Sequence, residues 1–291
     1  MDTKDKEILE KLHGVLLELM MEFDRICREN EIEYSIAYGT LLGAVRHGGF
    51  IPWDDDVDII MTRENYEKFC KICPESIDDR FFFQSKNTEP LYNYNIARLR
   101  KENTALIYTQ WKNAGFNMGI YIDIFPVDEI PDSKWKRFWQ YSKIIFCTLV
   151  RATRNKSIFM NRNMGHKIVN KIMYFCFNLF PKKFCDKIEY KAITKYNGKG
   201  NKLMAIICEG GNLIHTPKDL IPFTKEYLAE YEDIDFAGYK MRSIVKRDQA
   251  LTHWYGDYMQ LPPEDQQKLT HHPEVCDTEK SYKEYLNTDS E

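Results

Sequence analysis

The 291-residue sequence is 43% hydrophobic and 14% aromatic, which is ample for a sizeable core and excludes a wholly disordered chain. Its 41 basic and 44 acidic residues leave a net charge of −3, which excludes a global polybasic surface for nucleic acid. The balance is uneven: residues 134–202 carry 17 Lys and Arg against only Asp186 and Glu189, so a +15 block sits in a chain whose other residues sum to −18.

The charged segment Met1 to Lys11 lacks the apolar run of a secretory signal. The eight cysteines fall mostly in apolar stretches, which suits reduced, buried thiols better than a disulfide framework. Both features predict a cytoplasmic protein. The longest apolar runs, Ile144 to Val150 and Ile172 to Phe180, are well short of the roughly 20 residues of a membrane span, so the expected membrane role is peripheral, on the inner face.

Apolar residues at Ile8, Leu12, Val15, Leu16, Leu19, Phe23, Ile26 and Cys27 recur every three or four positions and predict a long amphipathic helix. Glu33 to Tyr38 reads as a strand, Gly39 to Val45 as a turn entering a short helix, and Val57 to Met61 as a strand. Thr62 is then the N-cap of a helix over Arg63 to Ile72. Further strands are expected at Phe81 to Gln84, Asn95 to Arg100, Ala105 to Tyr108 and Ile120 to Phe125. Beyond Pro126 and Pro131 the pattern turns helical, with helices over Trp135 to Thr153, Met164 to Phe180 and Lys183 to Tyr196 that carry most of the cationic block. After Asn197 to Gly200 short mixed elements resume through Tyr255. Leu261-Pro262-Pro263 is expected to close off regular structure, with a loose tail from Asp277.

The chemistry concentrates between Tyr38 and Ile59. Gly39-Thr40, where a strand gives way to a helix, presents free N–H groups, a hydroxyl and the helix dipole to one point, a site suited to a phosphate; an ordinary turn with an N-cap reads equally well. Asp56 and Asp58, one residue apart beside a strand, share a face, and their repulsion is relieved by a divalent cation. The competing reading is a solvated acidic turn. Asp123 lies in the otherwise apolar strand Ile120 to Phe125, so it needs a cationic partner: either a salt bridge to Arg98 or Arg100, or a functional role as third metal ligand or general base. Arg98 and Arg100 share a strand face, and Arg98, with Arg46 and His47, is expected to contact phosphate, while Arg100 stays open. Trp53, beside the acids, is the candidate aromatic wall for a quaternary ammonium group, with simple loop packing as the alternative. His271-His272 with Cys276 reads as a solvated loop.

A strand followed by Gly-Thr, then Asp-x-Asp and a third acid on a later strand, resembles the nucleotidyltransferase superfold. Gly39-Thr40-Leu41-Leu42-Gly43-Ala44-Val45-Arg46-His47 and Pro52-Trp53-Asp54-Asp55-Asp56-Val57-Asp58 resemble the signature of the LicD family. Ile122-Asp123-Ile124-Phe125-Pro126 resembles its second block, and Tyr255-Gly256-Asp257-Tyr258-Met259 with Leu261-Pro262-Pro263 its last. The resemblance implies an α+β fold in which a nucleotidyltransferase-like mixed sheet is flanked by helices. The catalytic core then spans 1–131, a basic helical lobe 132–202, a mixed part completing the catalytic domain 203–276, and the loose tail 277–291.

It also implies a metal-dependent enzyme that transfers phosphocholine from CDP-choline to a sugar hydroxyl of a cell-surface glycan such as teichoic acid or lipopolysaccharide, with CMP leaving; fukutin-type relatives use CDP-ribitol. Asp56, Asp58 and Asp123 match the acids, with magnesium or manganese as the cofactor, and Gly39 and Thr40 match the phosphate turn. The partners are then a CDP-linked donor and a glycan acceptor, lipid-linked or not, and no nucleic acid. Two other functions remain open: nucleotidyl transfer from an NTP to a small molecule, and an inactive membrane-associated scaffold, against which three costly carboxylates argue. The basic lobe has two readings as well. It faces an anionic membrane or polyanionic acceptor, or it docks on the acidic body.

Overall fold

The structure, a computed structural model, describes residues 3–112, 114–156, 159, 167–208, 222–269 and 271–286. Helix α1 (Thr3–Glu29) forms as its periodicity predicts, burying Leu9, Leu12, Leu16, Leu19, Phe23 and Ile26 on one stripe. The chain then runs through β1 (Ser35–Ile36), α2 (Tyr38–His47), β2 (Asp58–Thr62), α3 (Arg63–Ser76), β3 (Phe81–Gln84), β4 (Ala97–Lys101), β5 (Ala105–Ile107) and β6 (Tyr121–Ile130). Thr62 does cap α3, accepting from the Asn65 N–H at 3.4 Å.

The main sheet has the order β1-β2-β6-β4-β3, with β2 and β6 parallel and the other neighbours antiparallel. Ile59, Leu99, Ile122 and Ile124 are fully buried, and α1 packs against β4 and β6. Alternation leaves Arg98, Tyr121, Asp123 and Phe125 on the opposite face. Strand β6 continues through Pro126, where a strand end was expected. Its ladder with β4 stops at Ile124, and the ladder with β7 (Leu203–Ala205) starts at Asp128. Pro126 falls in the gap, so its missing N–H breaks neither ladder.

The basic segment folds as helices α4 (Lys134–Ala152), α5 (Lys167–Asn178) and α6 (Lys182–Thr194); residues 164–166 of the expected second helix lie outside the described residues. Strand β8 (Phe223–Thr224) pairs with β7, and β9 (Tyr231–Phe236) and β10 (Tyr239–Ile244) form a hairpin beside β1 that leads into α7 (Arg247–Tyr255). The loose tail from Asp277 is corrected. Strand β11 (Val275–Asp277) pairs with β5, and α8 (Tyr282–Leu286) sets Tyr282, Tyr285 and Leu286 against the main core. Apolar burial and a strand partner, neither visible from local composition, hold 277–286 in place, while 287–291 lie outside the described residues. All eight cysteines are free thiols.

Candidate active site

One transverse row of the sheet gathers the predicted residues. Asp58 on β2 is in register with Asp123 on β6, and Asp123 is in register with Arg98 on β4. Register partners put side chains on one face, so two carboxylates and a guanidinium from three strands meet side by side. Arg98 Nε donates to Asp123 Oδ1 at 2.6 Å, and its guanidinium lies 4.0 Å from the Tyr121 ring centroid and 4.8 Å from that of Trp111. Of the two partners open to Asp123, Arg98 is therefore the salt-bridge partner. Arg98 Nη1 is buried with no hydrogen-bond partner among the described residues, and Asp123 Oδ2 is not engaged by Arg98.

Arg100 is held differently. Its Nε donates to Gln84 Oε1 at 2.6 Å and its Nη1 to the Gly119 carbonyl, and burial together with the neighbouring Arg98 pushes its guanidinium down to about 10. These contacts make it part of the packing behind the row.

The first turn of α2 abuts Asp58. Its N-terminal N–H groups have no intrahelical partners, and Ala37 ahead of it offers no side-chain cap. Thr40 Oγ1 accepts from the Asp58 N–H at 2.9 Å, so the buried hydroxyl fixes the backbone that carries the carboxylate. At Gly39 a Cβ would sit 2.5 Å from Asp54 Oδ2. Its lack of a side chain gives room to an acid of the same site.

The loop before β2 is pinned from α1. His13 Nε2 lies 2.7 Å from the Asp54 carbonyl, and the His13 ring stacks on Phe50. Asp54, Asp55 and Asp56 are, among the described residues, the one set of three potential ligands whose donor atoms all lie within 4.8 Å of one another. Burial, with Asp56, Asp123 and Asp54 around it, pushes the Asp58 carboxyl well above the ordinary range. Burial likewise raises Asp56 and Asp54, which share a hydrogen bond with each other and feel the charge of Asp55. No hydrogen-bond donor reaches the Asp58 carboxylate among the described residues.

Sequence reasoning missed His271. Its backbone N–H donates to Asp55 Oδ2 at 3.2 Å, and Nδ1 lies 3.0 Å from Asp55 Oδ1 and 3.6 Å from Asp56 Oδ2. The Asp55 contact, followed by the charges of Asp56 and Asp54, raises the imidazole to about 9. The expected solvated loop thus clasps the acidic turn. Tyr38 and Tyr255, each raised by burial and by Asp58, also stand beside the acids, and Tyr38 packs against Trp254.

Other predicted contacts point elsewhere. Arg46 and His47 end α2, seven residues or about 10 Å of helix rise beyond Gly39. Arg46 Nη1 donates to the Tyr258 carbonyl at 2.9 Å and the Gln260 carbonyl at 3.3 Å, which ties the C-terminal block to α2. His47 sits edge-on to Trp53 at 6.0 Å, so the aromatic contact that the structure records for Trp53 is with this histidine.

The chain is 28% identical over 270 residues to the lipopolysaccharide cholinephosphotransferase LicD of Haemophilus influenzae, covering 88% of this chain and 93% of that protein. An uncharacterised protein of Rickettsia typhi is 44% identical over 73 residues, 25% of this chain and 24% of its own length, and one of Rickettsia prowazekii is 36% identical over 104 residues, 32% and 36%. Residues 31–164, which contain the whole Asp58–Asp123–Arg98 row, match the LicD/FKTN/FKRP nucleotidyltransferase domain, so the chain carries a LicD family domain over that segment.

Proposed function

We propose that the protein is a transferase that moves phosphocholine from CDP-choline to a hydroxyl of a cell-surface glycan, lipopolysaccharide or teichoic acid, with CMP as the leaving group. The observation that carries this reading is the row of Asp58, Asp123 and Arg98 beside the first turn of α2, in a chain similar along nearly its whole length to a cholinephosphotransferase.

The donor set fits a hard divalent cation. Asp56 and Asp58 offer half-buried carboxylates whose proton affinity is raised first by desolvation and then by the neighbouring acids. Magnesium, or manganese, when bound there would neutralise donor phosphate charge and the charge that grows on the departing CMP oxygen. The chain's own groups supply the rest. Thr40 and the β2–β6 register hold Asp58 in place, and the first turn of α2 beside it would offer its N–H groups to a donor phosphate. Arg98 holds Asp123 through Nε and keeps Nη1 for a phosphate oxygen. Asp123 Oδ2 is the oxygen left to take the acceptor hydroxyl proton. Tyr38 and Tyr255 offer aromatic faces for the quaternary ammonium group. Free thiols throughout and a nucleotide-linked donor support a cytoplasmic location.

The test is a donor screen with CDP-choline, CDP-ribitol, CDP-ethanolamine and CDP-glycerol in the presence of magnesium. CMP release with the choline donor and a phosphocholine-bearing glycan is expected. Pyrophosphate release from CTP, with no turnover of any CDP-alcohol, would replace this reading with nucleotidyl transfer.

A further inference from the structure

The helical lobe carries a surface that the catalytic row does not explain. Along α4, Trp135, Phe138, Trp139 and Phe146 recur at helical spacing yet are all exposed, Trp135 by 68%. Along α5, Ile168, Ile172 and Phe175 form a second exposed stripe, continued by Leu179 just beyond the helix. The stripes meet where Phe146 packs edge-on against Phe177 and Phe180, at 5.9 and 5.0 Å between ring centroids. At the other end, Trp135, Phe138 and Trp139 pack on one another with little cover from the rest of the fold. Amphipathic helices ordinarily turn such residues inward.

The charge beside these stripes is unmatched. Both acids of the lobe are paired internally: Glu189 is buried against Arg151 and Thr148, and Asp186 is paired with Arg154. Among the described residues no lysine of the lobe makes an ion pair with a carboxylate of the body. The alternative in which the lysines dock on the acidic body therefore has no contacts behind it. Between α4 and α6 lies a groove of about 440 Å³ lined by Trp135, Trp139 and Tyr196 and by the exposed Lys136, Lys143, Lys191 and Lys195, without a single acid.

We propose that this face of the lobe seats the protein on an anionic lipid bilayer, with the aromatic stripes entering the interface and the lysine groove taking anionic headgroups. Aromatic and aliphatic side chains flanked by lysines are what a helix lying in that interface requires. No described helix is long and apolar enough to cross a membrane. A second copy of the chain is the poorer occupant, because a two-fold contact would set the same lysines against each other. The inference does not depend on which donor the catalytic row accepts, and its test involves no turnover.

The full chain would be floated with phosphatidylcholine vesicles with and without phosphatidylglycerol, at low and high salt. Binding is expected only with phosphatidylglycerol, and it should be lost at high salt as screening shortens the reach of the lysines. Lys136→Glu with Lys191→Glu should weaken it more than about twentyfold, counting each lysine near the surface at about fivefold. Their circular dichroism and melting should stay those of the parent, which separates lost binding from lost folding. Brominated lipid should quench the fluorescence contributed by Trp135 and Trp139, and Trp135→Phe with Trp139→Phe should remove that quenching. The proposal is overturned by absent phosphatidylglycerol-dependent flotation, or by flotation that ignores the lysine reversals. A dimer in sedimentation that shields both tryptophans from lipid would overturn it too, as would capture of a soluble anionic glycan without any vesicle binding.

Discussion

The acid-bearing end of the sheet and the helical lobe both hold like charges together, and they differ in how water treats them. In the sheet, Asp54, Asp56 and Asp58 are crowded with Asp123 where burial raises their proton affinity. In the lobe, Lys136, Lys143, Lys191 and Lys195 are exposed, so salt and water screen them. Crowded, half-buried repulsion calls for a compact counter-ion that can enter a small space and shed water. Exposed repulsion interleaved with aromatic rings calls for an extended counter-surface. The same electrostatics thus reads as a metal and phosphate site in one region and as a lipid contact in the other.

The largest effect should come from removing one acid from the crowded, half-buried set. Asp58→Asn should lower transfer on the order of 10³-fold, as expected when an interaction made with the reacting phosphate is lost. It should also raise the melting temperature of the metal-free protein at neutral pH, because it removes a carboxyl whose ionised form the fold disfavours, without changing size. Full turnover in this variant, measured by CMP release, would remove Asp58 from the chemistry and leave the buried set unexplained.

Arg98→Met comes next. It strands Asp123 beside Asp58 and should cost about 3–5 kcal/mol in urea unfolding, with Arg98→Met plus Asp123→Leu recovering much of the loss. The comparison is sharpened by Arg151→Met. It belongs to the lobe but is 2% exposed and paired with Glu189 at 1%, so it should behave like the sheet and cost a similar amount. A small effect at Arg151 would mean that the interior of the lobe is looser than its buried pair indicates.

Much of this contrast is legible in the sequence. Strand alternation gives the faces of Asp123 and Arg98, and counting charges gives the lobe. What local pattern cannot supply is register: that Asp58, Asp123 and Arg98 share one row depends on how three strands slide past each other. Nor can local pattern supply the distance between Arg46 and His47 at one end of α2 and Gly39 at the other, or the carbonyls of Tyr258 and Gln260 that Arg46 reaches. His271 has no local signal, since its partner Asp55 is 216 residues away. For α8 a signal existed in Tyr282, Tyr285 and Leu286, spaced to cover one helix face, but its polar surroundings obscured it.

A smaller effect separates the regions by pH. In the metal-free protein the raised Asp54 and Asp58 carboxyls and the raised His271 imidazole keep protons that the unfolded chain has released. The folded state therefore binds more protons, and stability falls as pH rises. His13 and His47, lowered by burial, act in the opposite sense only below their ordinary 6.5. The clear window thus runs from about 6.5 to the His271 value of about 9. Melting temperatures in chelator should decline across it, and magnesium should raise the curve most at its alkaline end, where the carboxylates are free to bind. A rise with pH in chelator would contradict the assignment of these groups.

The smallest expected change is the sharpest test of the lobe. Lys183, Lys187 and Lys191 follow one another at four-residue intervals on α6, so each neighbouring pair repels. Lys187→Glu turns both repulsions into attractions and should stabilise the free protein by about 0.5 kcal/mol at low ionic strength, with the gain fading as salt rises. The same change removes positive charge from the lobe and should weaken binding to phosphatidylglycerol vesicles. The two measurements should move in opposite directions, because charge kept for a partner is repulsive until the partner arrives. If Lys187→Glu instead destabilised the protein while leaving vesicle binding intact, the lysines would be holding the lobe together, and the contrast with the sheet would be lost.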